Sequence, residues 1–115
     1  MKNLFSIILL LLTAELSAQN FYKELNAIRK ENGISPAKRS LFLQVNSYLW
    51  ARKCVNKYNS HLMHDRKGGF EVIAYNVDPI EWWMNSKPHK KTLLNNRLKK
   101  VGYGQYKGYA VARFK

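Results

Sequence analysis

The sequence is short of several things that small exported domains often use. It has one cysteine, Cys54, in 115 residues. No internal disulfide can form, so stability has to come from packing. The thiol is expected either to be buried or to pair between chains. Acidic residues are scarce too: seven Asp and Glu stand against 20 Lys and Arg, a net charge of +13. Proline and glycine number only three and six. With no internal repeat and no low-complexity stretch, nothing reads as a linker between domains. Long apolar runs are absent except for one, Leu4 to Leu12, broken only by Ser6. A helix needs ~20 such residues to span a bilayer, so this run is too short to do so.

The place of that run explains it. Met1-Lys2-Asn3 is a short positive segment, the apolar run follows, and Thr13 to Ala18 is polar and small. That order is the signature of a signal peptide, with cleavage after Ala18 or Gln19. Residues 1–18 are therefore expected to be removed, and 19–115 to form one small domain. Removing 18 residues from 115 leaves 97 and, because Lys2 and Glu15 both go, keeps the charge at +13. No transmembrane span is expected in the mature chain, which should be secreted or periplasmic. The aromatic residues, Trp50, Trp82, Trp83 and seven tyrosines, supply the apolar area that disulfides do not.

Along the mature chain the elements follow from caps and periodicity. Asn20 can cap a helix over Phe21 to about Asn32, with Phe21, Leu25 and Ile28 on one face. Gly33 ends it, and Ile34-Ser35-Pro36 is an extended link. Ser40 caps a second helix, Leu41 to about Lys57. Its apolar residues form two stripes, one through Leu43, Ser47, Trp50, Ala51, Cys54 and Tyr58, the other through Leu41, Val45, Tyr48 and Val55. The expectation is a helix covered on both sides. Asp65 to Gly69 reads as a loop and Phe70 to Tyr75 as a short apolar segment, strand or irregular. Asp78-Pro79 starts a short helix to about Ser86 that turns Ile80 and Trp83 inward. Val101 to Tyr106 and Tyr109 to Phe114 read as a β-hairpin around Lys107-Gly108. Gly102 and Gly104 point to close packing against something bulky.

The chemistry concentrates between His64 and His89. Two imidazoles bracket a stretch that holds Glu71 and the aromatic residues Tyr75, Trp82 and Trp83. Glu71 lies among Phe70, Val72 and Ile73; it either faces solvent or is buried with a partner. His61 and His64, three apart, could share a metal from one helical turn. The strongest basic cluster follows: Lys87, Lys90, Lys91, Arg97, Lys99 and Lys100.

These segments together resemble a known family. LNAIRKENGISP, a helix carrying Trp50-Ala51, LMHD, FEVIA, WWMNSKPHKKTLL and KKVGYG occur in the order and spacing of the bacterial CAP superfamily. That superfamily comprises cysteine-rich secretory, antigen 5 and pathogenesis-related proteins. The likeness covers about residues 22 to 114. It implies an α+β fold, a three-layer α-β-α sandwich with a central antiparallel sheet. It also implies a central cleft in which His64 and His89 match the family's two histidines and Glu71 matches one acid. The position of the second acid is Ser86, three residues after Trp83, so the four-residue site is incomplete. Glu81 does not match it, and His61 has no counterpart.

Two functions compete. The first is an exported binding module whose cleft takes a divalent metal or a small apolar or lipid ligand through His64, Glu71, Ser86, His89 and Trp83. Its basic surface would meet anionic envelope lipid or glycan. The second is a metal-assisted, peptidase-like hydrolase using His64, Glu71 and His89. No serine or cysteine nucleophile has a recognisable motif, which favours binding. His64 and His89 form a candidate zinc site, and folding is not expected to need the metal. Nucleic acid is set aside because the export signal outweighs the charge, and the oligomeric state stays open. Mass spectrometry of the exported protein is expected to find Gln19 or Asn20 at the N-terminus. Intact Met1 on a soluble cytoplasmic protein would overturn the export reading.

Overall fold

The structure, a computed structural model, describes residues 2–65 and 69–115. Met1 of the expected positive segment and residues 66–68 of the expected loop lie outside the described residues. Eight elements follow in order: α1 (Lys2–Glu31), β1 (Lys38–Arg39), α2 (Leu41–Lys57), β2 (Phe70–Tyr75), α3 (Pro79–Met84), α4 (Lys87–Leu93), β3 (Lys100–Tyr106) and β4 (Tyr109–Phe114). The sheet order is β1-β3-β4-β2. All pairings are antiparallel except the two-residue β1, which runs parallel to β3.

Strand periodicity distributes the core to two faces. On β4, Ala110, Ala112 and Phe114 turn toward α1, α3 and α4, where Leu25, Trp83 and Leu93 are buried with them. Tyr109 and Val111 turn the other way, onto Ala51 and Cys54 of α2. The result is an α-β-α sandwich, the layering that the resemblance implied. Cys54 is fully buried, and burial raises its thiol pKa, so it packs as a small hydrophobe.

The local signals work as read at most termini. The Ser40 hydroxyl accepts from the Leu43 N–H at 3.2 Å, and the Asp78 carboxylate accepts from the Glu81 N–H at 3.4 Å. Gly33 takes φ 70°, and the bonds Ile34 N–H to Arg29 O and Gly33 N–H to Lys30 O form a Schellman motif. Lys107 and Gly108 both have positive φ, as a type I′ hairpin turn requires.

Two expectations are corrected. Asn20 does not start a helix: α1 runs unbroken from Lys2 through it. The residues from Thr13 to Gln19 include good helix formers and neither glycine nor proline, so nothing local stops the helix. The expected signal cut thus falls within a helical turn, and Ala18 is buried against the core. Second, α2 is covered on one side only. Ser47, Ala51 and Cys54 are buried, whereas Leu41 and Val45 are 66% and 54% exposed. The part of its second stripe at Leu41 and Val45 has no layer above it, whereas Tyr48 meets Tyr106 edge to face and Val55 packs against the core. Pro88 lies in the first turn of α4, where a missing N–H costs nothing, with Ser86 at the cap.

The two glycines of β3 explain how α2 sits. A Cβ on Gly102 would collide with Leu43 and the Gln44 backbone, and one on Gly104 with the Tyr48 backbone. The helix rests directly on the strand, and the Ser47 hydroxyl donates to the Gly102 carbonyl at 2.9 Å. Because backbone, not a flexible side chain, occupies that space, Gly104→Ala is expected to destabilise the domain by about 1–3 kcal/mol or more. Urea unfolding checks this; a midpoint unchanged from wild type would refute the close contact.

Candidate functional site

The site forms at β2, an edge strand of the sheet. Glu71 on β2 stands directly opposite Arg113 on β4. Its side chain is only 8% exposed. The solvated alternative for this acid is therefore not the one realised, and its partners are all present. Oε2 accepts from Arg113 Nε at 3.0 Å. Oε1 accepts from the Asp65 backbone N–H at 3.0 Å and from His64 Nδ1 at 3.0 Å. Arg113 also donates through Nη2 to the Asp65 carboxylate at 2.9 Å. One guanidinium thus ties two carboxylates, and one of these carboxylates orients His64.

That bond sets the chemistry of His64. An ionised carboxylate only accepts hydrogen bonds, so Nδ1 carries the proton and Nε2 of the neutral ring keeps its lone pair. The ring itself is largely exposed, at 61%.

His89 is held from the other direction. As the third residue of α4 it shares a 2.8 Å hydrogen bond between Nδ1 and the Ser86 hydroxyl at the helix cap. This explains why Ser86 makes no cap bond to the backbone. His89 is half-buried, and desolvation, helped by the positive charge of His64, lowers its pKa. The two imidazoles are therefore within electrostatic reach of one another.

The remaining candidates separate from this pair. Trp83 is fully buried; it donates its indole N–H to the Ile73 carbonyl at 3.0 Å and meets Phe21 edge to face. It builds the wall behind the site and offers no surface to a ligand. The helical turn expected for His61 and His64 does not form. Asn59 and Ser60 take positive φ after α2, and His61 turns back to the Tyr58 carbonyl. Arg113 and Asp65 were not found from the sequence. Only strand register shows that Arg113 lies opposite Glu71, and Asp65, though it ends the LMHD segment, read as the start of a loop. Among the described residues no cluster of three or more His, Cys, Asp or Glu side chains could hold a metal.

A cavity of about 700 Å³ lies elsewhere, between α2 and the end of β4. Asp65 and Arg113 line it, together with Phe42, Leu49, Trp50 and Lys53. The ion-paired network therefore borders both the histidine site and this groove.

The lowered pKa of His89 has two consequences. The folded state binds its proton less readily than the unfolded chain, so His89 opposes folding as pH falls through 6.5 and below, and the penalty is absent above it. By NMR its ring is expected to titrate below 6.5, and His64→Ala should move that midpoint upward. A midpoint insensitive to His64→Ala would mean that the imidazoles are too far apart to act together.

Comparison with known proteins agrees with this architecture. The model of the cysteine-rich secretory protein family, CAP, matches residues 22–113. An extracellular protein of Bacillus anthracis containing an SCP domain superposes with a TM-score of 0.77 at 18% identity, over 88% of this chain and 40% of that one. A cysteine-rich secretory protein of Staphylococcus aureus gives 0.66 at 20% identity, over 88% and 38%. An outer surface protein of Borrelia burgdorferi gives 0.70 at 19% identity, over 84% of this chain and 90% of its own. The chain thus spans about two fifths of the first two and most of the third. No curated protein matches it in sequence. By its matched segment and its layers, the chain belongs to the CAP, or cysteine-rich secretory protein, family.

Proposed function

We propose that this protein is an exported CAP domain that works by binding, with His64 and His89 as the ligands for a divalent metal such as zinc. The observation that carries the reading is the bond from His64 Nδ1 to Glu71. A carboxylate behind an imidazole fixes its tautomer and raises its basicity, which is how histidine ligands are commonly prepared. His89 has its Nδ1 on Ser86, leaving Nε2 as its ligand atom. The donor set fits a site of two imidazoles completed by water. A zinc ion held there would lower the pKa of bound water to about 7.

Binding is favoured over hydrolysis by the state of Glu71. A general base needs a carboxylate oxygen free to take a proton. Both oxygens of Glu71 are engaged, by Arg113 on one side and by His64 and the Asp65 N–H on the other. Ser86, where the family has a second acid, supplies no replacement. A small apolar or lipid ligand is the alternative occupant, and the fully buried Trp83 leaves His64, Ser86 and His89 as the groups that would meet it.

Two of the similar structures are of an extracellular protein and an outer surface protein, which supports a secreted or periplasmic location. In that setting, anionic envelope lipid or glycan is the natural partner of a chain with charge +13.

Calorimetry with zinc is expected to show modest affinity at neutral pH that fades below about pH 6, as imidazoles protonate. Glu71→Gln should weaken it about 10- to 100-fold, the usual loss when the acceptor behind a ligand is removed. His64→Ala and His89→Ala should weaken it further, and Ser86→Glu should tighten it. Equal zinc binding by wild type and the double-alanine variant would leave the histidines without a metal role.

A further inference from the structure

The outer face of α2 is the most unusual surface of the domain. Phe42 and Leu49 are 76% and 51% exposed, and Leu41 and Val45 beside them are exposed as well. Phe42, Asn46, Leu49, Lys53 and Asn56 recur at helical spacing, so they form one stripe opposite the buried Ser47, Ala51 and Cys54. Single exposed apolar residues are ordinary, but a contiguous patch marks an interaction surface.

The helix face around this stripe is divided along its length. Toward the start of α2 it is apolar, with Phe42 and Leu49 on the stripe and Val45 beside it. Toward the end it is basic, with Lys53 on the stripe and Arg52 and Lys57 to either side. No acidic residue occurs anywhere in α2. The ammonium groups of Lys53 and Lys57 lie over the rings of Trp50 and Tyr58, at 5.8 and 5.6 Å from the centroids, as cation–π pairs that keep both charges on this exposed face. Lys100 and Lys115 continue the positive rim. Lys100 is on β3 in alternation with Gly102 and Gly104, so it faces the α2 side, and Lys115 lines the adjoining groove. The two acids nearby offset little of this, because Asp65 and Glu71 share Arg113 and the trio keeps a single net negative charge against the five cations of the face.

We infer that this face docks on the surface of an anionic phospholipid bilayer, with Phe42, Val45 and Leu49 among the lipid headgroups. Apolar residues that enter the interface beside lysines that remain at it are the features of an in-plane membrane contact. The charge argues against a second copy of the chain. Twofold pairing of this face would bring two acid-free basic surfaces together, whereas an anionic leaflet neutralises them. The inference shares the excess of positive charge with the reading above. It is independent of His64 and His89.

The test must be local, because the apolar start of α1 could carry the whole chain to a membrane. Spin labels are placed singly at Phe42→Cys, Leu49→Cys and, as a reference on another layer, Glu81→Cys. All three positions are exposed, and Cys54 is buried and stays unlabelled. Accessibility to a water-soluble nickel chelate is measured with no vesicles, with phosphatidylcholine vesicles, and with vesicles containing equal phosphatidylglycerol. On the anionic vesicles, labels 42 and 49 are expected to lose accessibility about tenfold, as side chains about 5–10 Å into the interface do, while label 81 does not. Replacing Arg52, Lys53 and Lys57 with glutamine should weaken vesicle binding roughly fivefold per residue. Equal protection on both vesicle types, or none at 42 and 49, overturns the inference. Protection that grows with protein concentration without vesicles assigns the face to a second copy and overturns it too. Zinc calorimetry on the same variants reads the histidine site separately.

Discussion

A buried cation that has no carboxylate partner among the described residues holds the layers of this domain in register. Arg29, near the end of α1, is completely enclosed. Its Nε donates to the Ser35 carbonyl at 2.9 Å, Nη1 to Leu93 at 2.8 Å and to Asn95 at 3.4 Å, and Nη2 to Leu98 at 3.0 Å. One planar fork thus ties the chain leaving α1 to the turn joining α4 and β3. Burial depresses its pKa, but guanidinium starts so high that it stays charged. The negative end of α4 helps, since Leu93 and Leu94 close that helix. A lysine could not reach four carbonyls in one plane. Because α4 carries His89 and the chain after α1 leads to β1, the same residue fixes one half of the candidate site and one edge of the sheet.

The other side of the sheet obeys a different constraint. There α2 approaches so closely that side chains are excluded at Gly102 and Gly104. Ordinary packing would raise the helix by the thickness of a side chain. Instead it lies low, and its far side is left bare. One layer is thereby a conventional core of aromatic and branched residues. The opposite layer is small, and its exposed apolar stripe is not needed for burial.

Much of this was legible in the sequence where a local rule acts alone. Gly33, Ser40, Asp78-Pro79 and Lys107-Gly108 each specify a turn or cap through their own backbone chemistry, and each does so here. The histidines and Glu71 were visible as polar groups in an apolar stretch, and the family likeness gave them an order. What was not legible depends on neighbours. Arg113 looks like any basic residue on a strand until register sets it against Glu71. The start of the second stripe of α2 read as buried because periodicity reports that a face is apolar, not whether anything covers it. Asn20 read as a cap because a capping residue followed by an apolar stripe gives the same signal in the middle of a helix. Trp83 read as a ligand contact because its spacing to Ser86 and His89 says nothing of which way the indole turns.

The order of the strands also bears on when the protein can form. The central pair, β3 and β4, are the last two elements along the chain, and every other strand pairs with one of them. The hydroxyl of Tyr22 accepts from the Tyr103 N–H across 81 residues. A ribosome that has released the first two thirds of this sequence has released no strand with a partner. Such a nascent segment holds helices but no sheet, so it has nothing to resist threading through a narrow channel as an open chain. Closure waits for the hairpin to emerge, and topology alone keeps the chain open until then.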